Sequence, residues 1–274
     1  MARKRSRRRK TRRRQRGGAN TYEGSGPVKV FTSADKMKPT LEALLGSLKA
    51  HNYSYEVLGM GKPWKGFKTK MENYLDGINR FIVAKGPDAM AIFVDAFDVF
   101  CIKDADKLLA SYKAKPRPMP IVVATEIICF YNENCSMDAL AWYDQNKIPG
   151  GSQAIKNALT QPEPRPYYKS PKSVFLNSGF IMGPAKELQA LFQGMMDSGD
   201  TDDQIAVINY MKKHMDKIDF DIEEAMVRVK LEPRTKSEDE DGTRGPGFLH
   251  YPGSRTDDEQ KQALQYYKAY LPTR

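Results

Sequence analysis

The 274-residue sequence lacks several features that would assign a protein to a class at once. No apolar run reaches the ~18–20 residues that a membrane-spanning helix needs, and no apolar stretch follows the charged N-terminus as it does in a secretory signal. The three cysteines include no Cys-x-x-Cys pair, which argues against a structural zinc site and a disulfide framework. Nucleophile-elbow, P-loop and zinc-protease motifs are also absent. We therefore expect no membrane contact and a cytoplasmic or nuclear location.

The positive charge is concentrated in one short segment. Residues 3–16 hold eleven lysines and arginines and no acid, which leaves 33 of the 44 basic residues against 34 acidic ones elsewhere. Together with the glycines that follow, this composition predicts a disordered arginine-rich tail over residues 1–26 and a single folded domain over residues 27–274. Three roles fit such a tail: a nuclear localisation signal, a contact to nucleic acid or another polyanion, and a solubilising arm.

Hydrophobic periodicity predicts alternating strands and helices. In the first half, strands are predicted at 28–34, 53–59, 89–100 and 121–128, with helices at 37–50, 66–80 and 104–113. In the second half we predict a long loop with one short helix over 144–172 and a strand–turn–strand unit over 173–183. Helices are predicted at 184–196, 202–215 and 257–270. A loop is predicted over 233–247 and a strand at 248–253. The alternation predicts an α/β fold with a mostly parallel central sheet flanked by helices.

Ligands of such folds bind beyond the carboxyl ends of the strands, and two acids stand at one of these ends. Asp95 and Asp98 interrupt the apolar run FVDAFDVF. A straight strand would point them to opposite faces, but a turn after Asp95 would let both carboxylates bind one hard cation, Mn(II) or Mg(II). Such an ion would neutralise charge on a leaving diphosphate. The alternative is that the two acids cap a neighbouring helix.

Further polar residues follow in the second half. The segment LNSGFIMG, with Asn177, predicts a tight turn with side-chain hydrogen bonding. Asp202 and Asp203 begin an apparent helix, where acids favour the helix dipole, and the alternative is an acid-lined sugar pocket. His250 lies in the apolar segment FLHYPG, which is typical of a buried core histidine.

Taken in order, seven segments resemble the glycosyltransferase domain of the procollagen lysyl hydroxylase and glucosyltransferase family, in a stand-alone form. They are LGMGKPWKG, KTKMENYLD, FVDAFDVF, VVATEIICF, LNSGFIMG, DDQ and LHYPG, and the resemblance covers roughly residues 28–271. It implies a Rossmann-like GT-A fold, a UDP-sugar donor and Mn(II), with Mg(II) as the alternative ion.

The resemblance also implies roles for single residues. Asp95, Asp98 and His250 match the metal site of the family. Asp203 and Asn177 match positions beside the donor sugar and the reacting centre, with Asp202 as a neighbour. The positions expected to contact the nucleotide and its diphosphate are Thr32, Ser33, Trp64, Lys68, Glu126 and Gly253.

The sequence departs from the family pattern at five places. Residues 199–201 break an acidic run that is longer in the family, and Phe130 stands where the family often has Trp. His250 is followed by Tyr-Pro-Gly and not by the usual glycine-rich turn. The segment between Trp64 and Lys68 is shorter than in the family, and the loop over residues 144–172 is longer. These departures affect the expected choice of donor and acceptor more than the metal site.

The function implied by the resemblance is transfer of a hexose, with glucose as the first expectation, from a UDP-sugar to an acceptor hydroxyl with retention of configuration. The expected acceptor is hydroxylysine-linked or another protein glycan, and relatives in large DNA viruses raise the expectation of a virion-associated enzyme. Two other functions fit the same residues. One is a catalytically degenerate domain tethered to nucleic acid by the basic tail, and the other is a metal-dependent phosphohydrolase.

Overall fold

The computed structural model of the chain describes residues 21–129, 132–148, 150–160, 168–170, 172–229, 245–253 and 256–268. Three features of the sequence lie outside these residues: the basic segment 3–16, Phe130 and the acidic run 238–241 within the predicted loop.

Strands and helices alternate through the first half of the chain. They are β1 (Thr21–Tyr22), β2 (Val28–Ser33), α1 (Pro39–Ala50), β3 (Ser54–Leu58), α2 (Phe67–Lys85), β4 (Met90–Val94), β5 (Val99–Cys101), α3 (Ala105–Lys113), β6 (Ile121–Glu126) and β7 (Ile128–Cys129). Helix α2 runs longer than predicted and ends at Lys85, and the next residue, Gly86, has a φ of 92° that suits a glycine just past a helix end. The single strand predicted over 89–100 is wrong, because the chain leaves the sheet at Asp95 and β5 starts a second one.

The second half contains α4 (Asn132–Gln145), α5 (Gly151–Leu159), β8 (Tyr168–Lys169), β9 (Phe175–Pro184), α6 (Ala185–Asp197), α7 (Asp203–Lys213), β10 (Ile218–Phe220), β11 (Val227–Val229), β12 (Phe248–His250) and α8 (Asp257–Lys268). The expected short helix within 144–172 is α5. The sequence patterns did not predict α4. The buried Trp142 anchors this helix by stacking on Phe220 with ring centroids 4.1 Å apart.

The strand–turn–strand unit predicted over 173–183 is wrong, since β9 is one continuous strand of 10 residues. The pairing of β9 with β6 shifts register between Val123 and Ala124. Within the strand, the side-chain oxygen Oδ1 of Asn177 accepts a hydrogen bond from the backbone N–H of Gly179 at 2.9 Å. The turn-forming residues therefore produce a local irregularity inside a strand, because neighbours on both sides hold the strand in the sheet.

The central sheet has seven strands in the order β1-β3-β2-β4-β9-β6-β10. Strands β3, β2, β4, β6 and β10 run in one direction, and β1 and β9 run in the other. The predicted α/β class with a mostly parallel sheet is thus confirmed. A three-stranded sheet, β11-β12-β5, and a two-stranded sheet, β7-β8, complete the described strands.

Two apolar cores cover the two faces of the central sheet. One face packs against α2, α6 and α7, and includes Tyr74 and Phe192. The other packs against α1 and α3, and α1 contributes Leu41, Leu44 and Leu48. Among the described residues, no helix is both long and apolar enough to cross a membrane.

The tail predicted over residues 1–26 extends too far, because residues 21–26 contact the central sheet and the residues next to it. Strand β1 pairs antiparallel with β3, the ring of Tyr22 stacks on Tyr55 at 5.6 Å, and the N–H of Gly26 donates to the carbonyl of Asn52 at 3.0 Å. These residues are ordered because Tyr22 brings an aromatic ring that packs on the sheet edge. Residues 1–20 lie outside the described part of the chain.

Candidate active site

A turn at the end of β4 brings the two acids of FVDAFDVF together. Strand β4 ends at Val94, and β5 begins at Val99 in the second sheet. There β5 pairs antiparallel with β12, with Val99 opposite His250. The backbone N–H of Tyr251 also donates to the carbonyl oxygen of Asp98 at 2.8 Å. The pairing of β5 with β12 therefore places the histidine beside the acids.

Asp95, Asp98 and His250 form a compact group of oxygen and nitrogen donors. The Nε2 atom of His250 lies 3.7 Å from Oδ2 of Asp95 and 3.6 Å from Oδ1 of Asp98. One donor atom from each of the three residues lies within 4.8 Å of the others. Two carboxylates and an imidazole are ligands that Mn(II) accepts, and Mg(II) accepts the carboxylates.

The histidine of this group has unsatisfied ring nitrogens. His250 is 1% exposed, and neither Nδ1 nor Nε2 has a hydrogen-bond partner within the described part of the chain. Buried polar atoms in proteins are nearly always hydrogen-bonded, so two such nitrogens beside two carboxylates call for a ligand. The residues at this position therefore fit a divalent cation.

Gly179 keeps the space around this group open. A Cβ atom at this position would lie 2.2 Å from Cε1 of His250 and 2.9 Å from Oδ2 of Asp95. Any other residue would push one of the two donors aside. The glycine of the LNSG segment thus leaves room for the histidine and the acid rather than forming a turn.

The charges of the three residues are interdependent. Burial raises the pKa of Asp98 above its ordinary value, although His250 opposes the change. For Asp95, burial raises the pKa, but Lys70 and His250 outweigh it and the pKa is lowered. For His250, burial lowers the pKa, but Asp98 and Asp95 outweigh it and the pKa is raised. A cation and a proton would therefore compete for the imidazole.

Lys70, in the first turn of α2, is a site residue that sequence reasoning missed. Its ammonium donates to Oδ1 of Asp95 and, at 2.5 Å, to Oδ2 of Asp203. The side chain is buried and lies over the ring of Tyr74. A signal was available, because Lys70 precedes Tyr74 by four residues and so shares the buried face of an amphipathic helix.

The acid of the DDQ segment continues the polar network. Asp203 is buried at the start of α7, and the hydroxyl of Ser178 donates to its Oδ2 at 3.0 Å. The next residue, Gln204, donates through Nε2 to Oε1 of Glu126 at 3.1 Å. Burial raises the pKa of Glu126 to about 7, although Gln204 and the nearby Asn177 oppose the change. Asp203, Asn177 and Glu126 therefore form one buried polar layer, which Lys70 joins to Asp95.

Asp202 has a different position. Its side chain caps α7 and accepts from the backbone N–H groups of Gln204 at 2.9 Å and Ile205 at 3.1 Å. A capping carboxylate at a helix N-terminus satisfies donors that would otherwise lack partners. The structural interpretation of this acid thus fits its contacts, and its place in a sugar pocket stays a prediction.

Of the residues predicted to contact the nucleotide, Thr32 and Ser33 lie at the carboxyl end of β2, and Glu126 lies at the carboxyl end of β6. Thr32 is buried with no hydrogen-bond partner for Oγ1 in the described chain, and the Oγ of Ser33 accepts from Asn73 at 2.9 Å. Trp64 and Lys68 are exposed, and within the described residues neither makes a hydrogen bond or ion pair with the acidic group. Gly253, with φ 89°, lies in the turn after β12.

Comparisons with known proteins agree with this architecture. The family model described as the PLOD GT domain matches residues 25–138. A multifunctional procollagen lysine hydroxylase and glycosyltransferase of Caenorhabditis elegans is 27% identical over 195 residues, which make up 68% of this chain and 23% of that protein. The chain thus spans about a quarter of the length of this curated relative.

A solved structure supports the same fold. A glycosyltransferase involved in the glycosylation of the major capsid of PBCV-1 superposes with a TM-score of 0.51 at 10% identity, over 87% of this chain and 98% of that one. At this identity the likeness concerns the fold alone. Together with the family match over residues 25–138, which includes Asp95 and Asp98, it confirms the resemblance to a PLOD-like glycosyltransferase domain and the expected GT-A-like fold.

Proposed function

We propose that this chain is a metal-dependent glycosyltransferase that moves a hexose, with glucose as the first candidate, from a UDP-sugar to an acceptor hydroxyl with retention of configuration. The observation that carries the proposal is the meeting of Asp95, Asp98 and a buried, unsatisfied His250 at the carboxyl end of β4. A phosphate-bearing donor needs positive charge at this kind of position.

The chain's own residues would bind and orient the donor. Asp95, Asp98 and His250 would hold Mn(II), or Mg(II) in its place, and the ion would supply charge for the departing diphosphate. Thr32 and Ser33 at the end of β2 would face the nucleotide. The other residues predicted to contact the nucleotide and its diphosphate are Trp64, Lys68, Glu126 and Gly253. Holding two reactants in line accounts for much of the barrier reduction in such a transfer.

The buried acid Asp203 would act at the donor sugar. A carboxylate can accept hydrogen bonds from two vicinal hydroxyls, and its charge would stabilise the positive charge that develops at the anomeric carbon. Asn177 lies in the same polar layer and would contact the sugar, with Asp202 as a neighbour. Normal transfer by an Asp203→Ala variant would contradict this role.

The proposed acceptor is a hydroxyl group on a protein or on a sugar already linked to a protein. The nematode relative is a procollagen lysine hydroxylase and glycosyltransferase, and the glycosyltransferase of similar fold is involved in glycosylation of the major capsid of PBCV-1. Both relate to protein acceptors, which is why a hydroxylysine-linked or similar protein glycan comes first in a screen.

The test is release of UDP from a panel of UDP-sugars with Mn(II), comparing the wild type with Asp98→Ala. Asp106→Ala, which removes an exposed acid in α3, is the matched control. Slow hydrolysis of one sugar by the wild type and the control, abolished by Asp98→Ala and by chelation, is the expected result.

Two other results would favour the rival functions. If no UDP-sugar turns over and no Mn(II)-dependent UDP binding is found, the domain is degenerate. Salt-dependent nucleic-acid binding that is lost on deletion of residues 1–16 would then support the tethered domain. If several nucleotide diphosphates are cleaved without regard to the sugar, the protein is a phosphohydrolase.

A further inference from the structure

Lys70 differs from the other cations of the described chain. It is the one lysine or arginine there whose side chain is buried, with 5% of the residue exposed. Burying an ammonium is costly unless it is paired and hydrogen-bonded. Its two carboxylate partners come from separate elements, Asp95 after β4 and Asp203 at the start of α7.

The two oxygens of Asp95 face different neighbours. Oδ1 accepts from Lys70, while Oδ2 lies 3.7 Å from Nε2 of His250. The carboxylate thus stands between the ammonium and the proposed ion site. Asp203 is held in a similar way, because its Oδ2 accepts from both Lys70 and Ser178.

Without the ammonium, the two carboxylates would be like charges close together in a poorly solvated region. Removal of one partner from a buried ion pair is strongly destabilising because it leaves an uncompensated charge. A divalent cation bound beside Asp95 would compensate part of that charge. The ammonium and the ion therefore act on the same carboxylate.

We propose that Lys70 is the resident counter-ion of this site, a positioning residue that holds Asp95 and Asp203 in place before the metal and the donor bind. It joins the carboxylate of the ion site to the carboxylate proposed to act on the sugar. The inference rests on the proposed function, because it takes the ion to bind at Asp95 and the donor sugar to bind at Asp203.

The expected consequence is a change in how far Mn(II) stabilises the fold. In Lys70→Met, Asp95 and Asp203 lose their shared cation, so unfolding in EDTA shifts to lower temperature. Mn(II) restores part of the missing charge and must then raise the unfolding temperature more than it does in the wild type. Mn(II) should also bind roughly tenfold more tightly, the order expected for removing one positive charge close to the ion.

The experiment measures thermal unfolding in EDTA and in saturating Mn(II), and Mn(II) affinity by calorimetry. Lys85→Met, which removes an exposed lysine from the last turn of the same helix, is the control. Lys70→Met/Asp203→Asn removes the cation and one of the two acids, and should recover most of the unfolding temperature in EDTA. If Lys70→Met does not fold without metal, Lys70→Gln is measured in the same way.

Two results would overturn the inference. One is an equal or smaller Mn(II)-induced shift in Lys70→Met than in the wild type, which would show that the ammonium does not serve as the counter-ion of these carboxylates. The other is no recovery in the double variant. If Mn(II) neither binds nor stabilises any of these proteins, the proposed metal-dependent function fails as well, so failure of the Lys70 inference alone is distinguishable.

Discussion

Two groups of buried and partly buried acids in this protein differ in how far their hydrogen bonds are satisfied. One is the proposed active site around Asp95, Asp98, Asp203 and Glu126. The other, at the end of β10, consists of Asp219 and Asp221, and we name it the β10 acid cluster. Burial raises the pKa of Asp221 to about 7, just as it does for Glu126.

The β10 acid cluster satisfies its own hydrogen bonds. The two oxygens of Asp221 accept from the backbone N–H groups of Ala225 at 2.9 Å and of Met226 and Val227 at 2.8 Å. Asp219 accepts from Arg117, which also pairs with Glu223. The cluster therefore ties the segment before β6 to the loop between β10 and β11, and its chemistry is structural.

In the proposed active site, by contrast, buried polar atoms remain without hydrogen-bond partners. Within the described chain these include both ring nitrogens of His250, Oε2 of Glu126 and Oγ1 of Thr32. A shifted pKa is common to both groups, so it does not identify the site. The unsatisfied ring nitrogens of His250, beside the space that Gly179 leaves open, distinguish the proposed site from the β10 acid cluster.

The largest expected effect tests the structural role of the β10 acid cluster. Asp221→Ala leaves two buried N–H groups and one partly buried one without acceptors, at about 1–3 kcal/mol for each buried group, so we expect the free energy of unfolding to fall by about 4 kcal/mol. Urea denaturation measures this loss. Mn(II) affinity per folded molecule should be unchanged, and a variant that keeps its stability but loses Mn(II) binding would contradict the comparison.

The next effect is the pH dependence of stability that Glu126 causes. The pKa of Glu126 is about 7 in the folded protein and 4.5 is its ordinary value, so the unfolded chain loses this proton first. The protonated carboxyl group contributes about 3 kcal/mol to the free energy of unfolding. This contribution is complete below pH 4.5 and is lost as the pH rises through 7.

Glu126→Gln lacks this titration. The free energy of unfolding of the wild type minus that of the variant, measured by denaturation in EDTA, should fall between pH 4.5 and 8. A difference that is constant with pH would show that Glu126 is solvated or already paired.

A smaller effect is expected from closing the space at Gly179. Gly179→Ala forces a Cβ against His250 and Asp95, so Mn(II) affinity should fall by about 10–100-fold, as when other supports of metal ligands are removed. Gly46→Ala in α1 is the control, because nothing lies within 4 Å of a Cβ there. Calorimetry with Mn(II) compares the two, and equal affinities would mean that the ion site does not need this space.

The smallest effect lies at the exposed edge of the proposed nucleotide site. Trp64 is 42% exposed, so Trp64→Ala should change stability by less than about 0.5 kcal/mol. If its ring covers the uracil base, the dissociation constant of UDP should rise about fivefold, in line with a single aromatic contact. Val83→Ala, at a side chain that is 90% exposed, is the control. An unchanged UDP affinity would exclude Trp64 from the nucleotide site.

Much of the fold could be predicted because its signals are local. The leucines of α1, the apolar strand β4 and the acids after it are patterns within a dozen residues. Helix α1 lies within its predicted range, and β4 forms the first part of the strand predicted over 89–100. The missed elements have weak local signals. β10 and β11 have three residues each, and α4 is held by contacts such as that of Trp142 with Phe220 from a distant part of the chain.

For the candidate site, too, some features follow from local sequence patterns and others only from contacts in space. The sequence by itself determined where acids interrupt apolar segments, and an apolar strand that ends in acids must solvate, pair or ligate them. Only the tertiary structure decided which of them meet. His250 reaches Asp98 through the pairing of β12 with β5, and Lys70 reaches Asp203 across 133 residues of chain. Such contacts depend on how strands pair and helices pack, because the energy of a buried charge is set by its neighbours in space and not in sequence.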